Sequence, residues 1–274
     1  MSIVRTGQTV AEDGVFLRWR VQGNGIPFVC SNGVGVSTFF WKYILESHTT
    51  DFAVLTWDYR GHGDSDRNLD PHDADMSIER HAKDLLCILA EAFPDSTDNI
   101  ILMGHSMGCQ VNLEAYRHLG ERVGAIFHLL GTAGNALSTF GGFEYSPYVF
   151  RAIRRLTFKL GHRANTLLHP LLVSRIAWPF ASTFALVDPI YTKYEDFRPY
   201  LEHLATMDMR LFTRAVWACQ EHSAWDLLSD IHCPVLVVAA ENDGFTPISC
   251  AQQITKQIPN ASMVVLADGS HAAL

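Results

Sequence analysis

A serine bounded by glycines two positions to either side, Gly104-His105-Ser106-Met107-Gly108, is the clearest chemical signal in the 274-residue sequence. It directly follows the strand-like run Ile100-Ile101-Leu102-Met103 and opens the helical stretch Cys109 to Leu119. A serine on a sharp strand-to-helix turn needs small residues on both sides, because the strained backbone passes close to its neighbours. Such a turn lifts Oγ above the sheet edge, and the free amides and positive dipole end of a helix starting at Met107 face the reacting oxygen. The chemistry this permits is nucleophilic attack on a carbonyl carbon; the competing reading is a serine that only shapes or caps a turn. Serine at its free pKa is a poor nucleophile, so attack also requires a base to take its proton and a third group to fix the tautomer of that base.

Thirteen histidines supply candidate bases. His105 lies within the serine turn and His62 within Arg60-Gly61-His62-Gly63. His81, His118, His128 and His222 show no metal-ligand spacing, and no H-E-x-x-H or paired Cys/His set occurs, so neither a metal nor a cofactor is expected. The glycine-rich Asn32-Gly33-Val34-Gly35 lacks the Lys-Ser/Thr ending of a phosphate loop.

Around the serine, strand-like and helix-like segments alternate, the signature of a mostly parallel sheet with crossover helices. Gln8 to Glu12 and Val15 to Val21 read as an opening antiparallel pair closed by the turn Gly23-Asn24-Gly25. Short apolar runs of buried-strand type follow at Pro27 to Cys30, Phe52 to Trp57, Asn99 to Met103, Val123 to Leu130, Pro234 to Ala240 and Ser262 to Ala267. The clearest helix spans Ser77 to Ala92, with Ile78, Ala82, Leu85, Leu86 and Leu89 on one face, Ser77 as N-cap and Pro94 as stop. From about Ala133 to His222 the strand pattern gives way to aromatics and helical spacing. The expected architecture is α/β: residues 1–132 and 223–274 form a sheet core flanked by helices, and 133–222 form a helical cap inserted before the last two strands. Within that cap Val149, Ile153, Leu156 and Leu160 recur at helical intervals while Arg151, Arg154, Arg155 and Lys159 fall elsewhere on the wheel, predicting an amphipathic helix.

Hydrophobic residues make up 48% of the chain and charged residues 18%, enough apolar material to bury a sheet between helical layers and too much for disorder. A formal net charge of −8 without a basic block argues against nucleic acid as a partner, since binding it needs a positive surface to release counterions. The charge is partitioned: six Arg/Lys and no Asp/Glu lie between Tyr145 and Val187, leaving 15 against 29 elsewhere. Anionic lipid, an anionic substrate and plain solvent are the partners open to that stretch; solvent is the favoured reading and peripheral membrane contact through the cap an alternative. The six cysteines show no C-x-x-C spacing and are expected to be reduced. Met1 to Val10 holds no apolar stretch long enough for a secretory signal or a membrane span, so a cytoplasmic location is expected.

Three further motifs accompany the serine turn: Asp58-Tyr59-Arg60-Gly61-His62-Gly63-Asp64-Ser65, then Ile231-His232-Cys233-Pro234-Val235-Leu236-Val237-Val238 leading to Glu241-Asn242-Asp243, and finally Asp268-Gly269-Ser270-His271. In this order, and over nearly the whole chain, they resemble the α/β-hydrolase superfamily, specifically its cap-bearing esterase, lipase and C–C hydrolase branch. The resemblance implies Ser106 as nucleophile, His271 as general base and Asp243 as the acid that orients it. It also implies an oxyanion hole from the backbone N–H groups of Val34 and Met107, each such donor being worth about 2.7–4 kcal/mol in the transition state. On the residues alone, Asp243 also reads as an Asx-turn or capping residue before Pro247, and His271 as a surface histidine. Two departures from the family pattern stand out. Asn32 occupies a position where many relatives have His, and is expected to hold its loop by side-chain hydrogen bonds. Three residues follow His271, where relatives usually continue with a helix covering the sheet edge.

The expected activity is two-step acyl transfer on a small or medium, mostly apolar carboxylic ester. Thioesterase, C–C bond hydrolase and acyltransferase activities, or ligand binding without turnover, are the alternatives within the same superfamily. The cap aromatics Phe140, Phe143, Tyr145, Tyr148, Phe150, Trp178, Phe180 and Phe184 favour an apolar substrate group, unless they pack the core of the cap itself.

Overall fold

Side chains alternate between the faces of a strand, so a sheet covered on both sides demands apolar residues at nearly every position. The runs with that composition form one eight-stranded sheet in the computed structural model, which describes residues 3–94, 96, 99–140, 144–179, 187–188, 190 and 192–272. The strands are β1 (Val4–Val10), β2 (Phe16–Gln22), β3 (Ile26–Ser31), β4 (Phe52–Trp57), β5 (Ile100–His105), β6 (Val123–Leu129), β7 (Val235–Ala240) and β8 (Ala261–Leu266), in the order β1-β2-β4-β3-β5-β6-β7-β8. β2 runs antiparallel to both its neighbours, and β3 to β8 pair in parallel. Alternation divides the core. Phe28, Cys30 and Val54 pack with Trp41, Met103 and Leu129 on one face, while Val29, Ala53, Leu55 and Trp57 join the larger cluster on the other.

The opening hairpin departs from the sequence expectation. β1 begins at Val4, and the turn that closes it is Ala11–Val15, where Ala11 N–H donates to Val15 O at 2.8 Å and Gly14 N–H to Ala11 O at 2.9 Å. The Gly23–Gly25 turn instead carries the chain from β2 into β3. As an edge strand, β1 has no need of apolar residues on both faces, which hides its beginning from a reading by hydrophobicity.

Flanking the sheet are α1 (Lys42–Ser47), α2 (Ile78–Ala92), α3 (Met107–Leu119) and, between β7 and β8, α9 (Ile248–Gln257). Ser77 caps α2 by accepting from Arg80 N–H at 3.1 Å, and Ile78, Ala82, Leu85 and Leu89 are buried against the core. Between β6 and β7 lie α4 (Ala136–Thr139), α5 (Ser146–Leu160), α6 (His162–Leu172), α7 (Tyr194–Leu204) and α8 (Met209–Glu221). α8 reaches the main core through Leu211, Ala215 and Cys219, and α7 packs its Phe197 and Leu201 with Val187 in a small cluster of their own.

α5 forms as an amphipathic helix, but three of the four residues of the expected apolar stripe face away from the core, and only Leu160 is half-buried, beside Ala164 and Leu204. Phe150, Arg154, Thr157 and Phe158 turn inward, whereas Val149, Ile153 and Leu156 are exposed. The reason lies in α8: the Trp217 ring receives the Arg154 guanidinium at 5.8 Å, so a cation is accommodated on the inner side. Of the cap aromatics, Tyr145 and Tyr148 point to solvent, Trp178 packs on Tyr194 and Phe197, and Phe143, Phe180 and Phe184 lie outside the described residues. All six cysteines are free. Among the described residues no helix is long and apolar enough to cross a membrane.

Candidate active site

Parallel strands all end on the same edge of the sheet, so the loops after β3, β4, β5, β7 and β8 gather there. From β3 the chain steps to β4 on one side and then to β5 on the other, and a crevice opens where the strand order reverses. Ser106, at the end of β5, and the loop Asn32 to Gly35, at the end of β3, border that crevice. Ser106 holds φ 53° and ψ −116°, a conformation that costs a non-glycine residue about 1–3 kcal/mol. Three hydrogen bonds hold the turn in place: Ser106 N–H to Leu129 O at 3.1 Å, Cys109 N–H to Ser106 O at 3.0 Å and the Cys109 thiol to Gly104 O at 3.1 Å. The flanking glycines are obligatory. A Cβ on Gly104 would sit 2.5 Å from Gly108 O, and one on Gly108 would collide with the Ser31 carbonyl.

β5 and β7 are separated by β6, which puts the ends carrying Ser106 and Asp243 roughly 10 Å apart at ~4.8 Å per strand. His271, from the end of β8, spans that gap. Its Nε2 lies 3.0 Å from Ser106 Oγ, and its Nδ1 lies 2.9 and 3.1 Å from the two carboxylate oxygens of Asp243. With Nδ1–H donated to the carboxylate, Nε2 presents a lone pair to the hydroxyl. Asp243 also accepts from Phe245 N–H at 2.7 Å, Thr246 N–H at 2.9 Å and the Thr246 hydroxyl at 2.8 Å. Burial alone would raise its pKa, but His271 and these Thr246 bonds outweigh burial and hold the carboxyl below its ordinary value, so it stays ionised. Asp243 is therefore at once a turn residue and the partner of His271. His271 is no surface histidine: it is buried, stacks on Phe245 at 4.9 Å, and accepts at its carbonyl from His105 Nε2–H at 2.9 Å. Burial pushes the His105 pKa down to about 3, which keeps that ring neutral beside His271.

The β3 loop is fixed from several directions. Asn32 is buried, donates to Trp57 O at 2.7 Å, accepts from Trp41 Nε1–H at 2.6 Å, and receives the Tyr59 hydroxyl on its carbonyl at 2.8 Å. A Cβ on Gly33 would stand 3.4 Å from Ser106 Cβ, so the loop that continues into Val34 runs beside the serine. Met107 opens α3, where a backbone N–H has no intrahelical acceptor. Among the described residues neither the Val34 nor the Met107 amide donates to another protein group. Gly35 is held at both ends of its peptide. Its N–H donates to His62 Nε2 at 3.0 Å, and its carbonyl accepts from His203 Nδ1–H at 2.8 Å. His62 Nδ1–H donates in turn to Arg60 O at 3.0 Å, and His203 Nε2 accepts from Gly63 N–H at 2.9 Å. Burial drives His62 down to about 4 and lowers His203 as well, consistent with neutral rings that donate at one nitrogen and accept at the other.

His203, Phe245 and Thr246 were not expected from the sequence. Thr246 carries a local signal, a hydroxyl three residues after an aspartate, the spacing of a side-chain-capped turn. His203 carries none, because its two partners lie 168 and 140 residues away. Among the described residues no three His, Cys, Asp or Glu side chains are grouped to hold a metal ion.

A family model described as "Alpha/beta hydrolase family" matches residues 28–274. A protein named "Putative carbamate hydrolase RutD" from Pseudomonas syringae pv. syringae is 29% identical over 247 residues, covering 89% of this chain and 86% of that protein. A pimeloyl-acyl-carrier-protein methyl ester esterase from Vibrio parahaemolyticus is 23% identical over 273 residues, 93% of this chain and 91% of its own length. The solved structure of a thermophilic esterase from Thermogutta terrifontis superposes with a TM-score of 0.76 at 20% identity, covering 98% of this chain and 92% of that one, a likeness of fold.

Proposed function

The chain belongs to the alpha/beta hydrolase family and is accordingly a hydrolase; we propose that it cleaves a carboxylic ester, with Ser106 as nucleophile, His271 as general base and then acid, and Asp243 as the group that orients His271. In this reading Ser106 Oγ attacks the ester carbonyl carbon as its proton passes to His271 Nε2. The carbonyl oxygen takes the negative charge and rests on the Val34 and Met107 amides. His271 returns the proton to the leaving alcohol as the C–O bond breaks, and Asp243 stabilises the transient imidazolium. Water then attacks the acyl-enzyme by the same path, releasing the acid and restoring Ser106.

The observation that carries this reading is the unbroken series of contacts from Ser106 Oγ to His271 at 3.0 Å and from His271 to Asp243 at 2.9 Å. Phe245, stacked on His271, and Phe140, 4.4 Å from Phe245, supply an apolar wall beside the serine, which supports a mostly apolar acyl or alcohol group. Residues 133–222 serve as the cap in this account. Ala272, next to His271, packs among Val187, Phe197 and Leu201, and His203 of α7 bonds the loop that carries Val34. A carbamate offers the same carbonyl to the same groups, and the name of the Pseudomonas relative favours it as the second reading. A fluorophosphonate probe tests the chemistry: it labels the native protein and leaves folded Ser106→Ala unlabelled. A panel of matched esters and carbamates then ranks the substrates. Full turnover by Ser106→Ala, or a native protein that resists the probe, sinks the proposal.

A further inference from the structure

The outer helices of the insertion present a series of aliphatic side chains to water. Val149, Ile153 and Leu156 on α5 are 58, 48 and 56% exposed, and Tyr145 and Tyr148 at its start are more exposed still. Tyr145, Val149, Ile153 and Leu156 follow one another at intervals of four, four and three residues, which makes one continuous stripe along the helix. On α6 and just beyond it, Leu167, Leu171 and Ile176 are exposed in the same way. Rotation of α5 offers no relief, because its inner side already packs on α8, with Arg154 over the Trp217 ring, and Phe158 on the same side packs against His72. Single exposed apolar residues are ordinary; a contiguous stripe marks a surface that something else covers.

The charges around the stripe indicate what covers it. Arg151, Arg155, Lys159, Arg163 and Arg175 are all exposed, and no acid occurs from Tyr145 to Val187, the first being Glu144 and Asp188 at the borders. Elsewhere the chain carries 15 Lys/Arg against 29 Asp/Glu, so the cations are concentrated on the segment with the exposed apolar residues. We propose that this face docks on a bilayer containing anionic lipid, with the stripe at the headgroup–acyl boundary and the five cations among the headgroups. Exposures of 48 to 74% leave these side chains standing out from the helix and not lining a groove, an arrangement that a fluid bilayer can surround. A symmetric pairing of two copies through the same face would oppose cation to cation. Tyr145 and Tyr148, apolar rings with a polar tip, suit the boundary between headgroups and water. Docking stands independently of the ester reading, because it is measured by binding and not by turnover.

The test is flotation of the full chain with vesicles of phosphatidylcholine alone and of phosphatidylcholine mixed with phosphatidylglycerol. The protein is expected to float with the mixed vesicles and not with the zwitterionic ones, and to be released by salt. Arg151→Gln/Arg155→Gln/Lys159→Gln is expected to weaken binding about a hundredfold, and Ile153→Ser/Leu156→Ser to abolish flotation. Both variants alter exposed residues only and are expected to keep the native circular dichroism and unfolding midpoint. The proposal is overturned by a native protein that stays unbound with anionic vesicles, or by equal flotation of both variants. A dimer in sedimentation that Ile153→Ser/Leu156→Ser dissociates overturns it too, assigning the stripe to self-association.

Discussion

On the side of the insertion that faces the sheet, α7 commits both ring nitrogens of His203 to backbone groups of Gly35 and Gly63, whereas on the outer side α5 leaves Val149, Ile153 and Leu156 in water and its neighbouring cations without acids. The inner side adds a bonded polar ring to its apolar packing, and the outer side leaves apolar side chains exposed. Each arrangement costs free energy unless something specific offsets it. A half-buried imidazole needs partners at fixed distance, and here Gly35 beside Ser106 and Gly63 supply them. An exposed apolar stripe needs another surface, which the described residues do not supply. The inner side thus holds one geometry, and the outer side is the face proposed to dock on a bilayer.

Four outcomes break or sharpen that contrast, beginning with the largest. Asp243→Asn replaces an ionised acceptor with an amide that favours the wrong imidazole tautomer, and turnover is expected to fall about 10^4-fold with the fold retained. A variant within tenfold of native would remove Asp243 from the mechanism.

The second outcome is acid sensitivity of the sheet edge that the inner side faces. His62 and His105 have folded pKa values of about 4 and 3 against an ordinary 6.5, so below 6.5 the unfolded chain binds protons that the folded chain refuses. Their contribution to stability is complete above pH 6.5, declines as pH falls, and amounts to a loss of about 2 kcal/mol per histidine at pH 5. Urea unfolding at pH 7.5 and pH 5 reads this directly, and equal midpoints would show that burial does not hold the two rings neutral.

Third, His203→Phe keeps a ring but strands the Gly35 carbonyl and the Gly63 amide, a penalty of about 1–3 kcal/mol per buried group. Because the disturbed loop carries Val34, kcat is expected to drop roughly tenfold or more with a smaller change in KM, and His203→Gln to recover part of the loss. An unchanged kcat would confine His203 to a structural role. The smallest effect belongs to the outer side: Ile153→Ser is expected to shift stability by less than about 0.5 kcal/mol, against about 2–5 kcal/mol for Leu201→Ala in the buried cluster of α7. Comparable losses in urea titrations would mean that the stripe is core after all.

Where the site could be read in the sequence, the constraint was local. Gly104 and Gly108 are required by atoms of the turn itself and of the adjoining β3 loop, and that requirement leaves a pattern around Ser106. Asn32 could be placed as a loop anchor because a buried amide must bond in both senses, and Trp57 O and Trp41 Nε1 provide the two partners. The strands β3 to β8 were legible because burial on both faces leaves continuous apolar runs, while β1, an edge strand, was misplaced along with its turn. The direction of α5 was not legible at all. A helical wheel shows that apolar and cationic residues occupy different sides, yet which side turns inward was decided by Trp217 on another helix.

The sequence by itself determined the α/β alternation and the serine turn, because each follows from periodicity or from contacts between near neighbours, while Asp243 and His271 were singled out only through the resemblance of four ordered motifs to a known family. Only the tertiary structure decided that His271 bridges two strand ends separated by β6, that His203 closes on Gly35, and that the cationic helix shows its apolar side to the outside. Those outcomes depend on groups more than a hundred residues apart, or on the face a neighbouring helix offers, and no local pattern records a distance that the chain acquires only on folding.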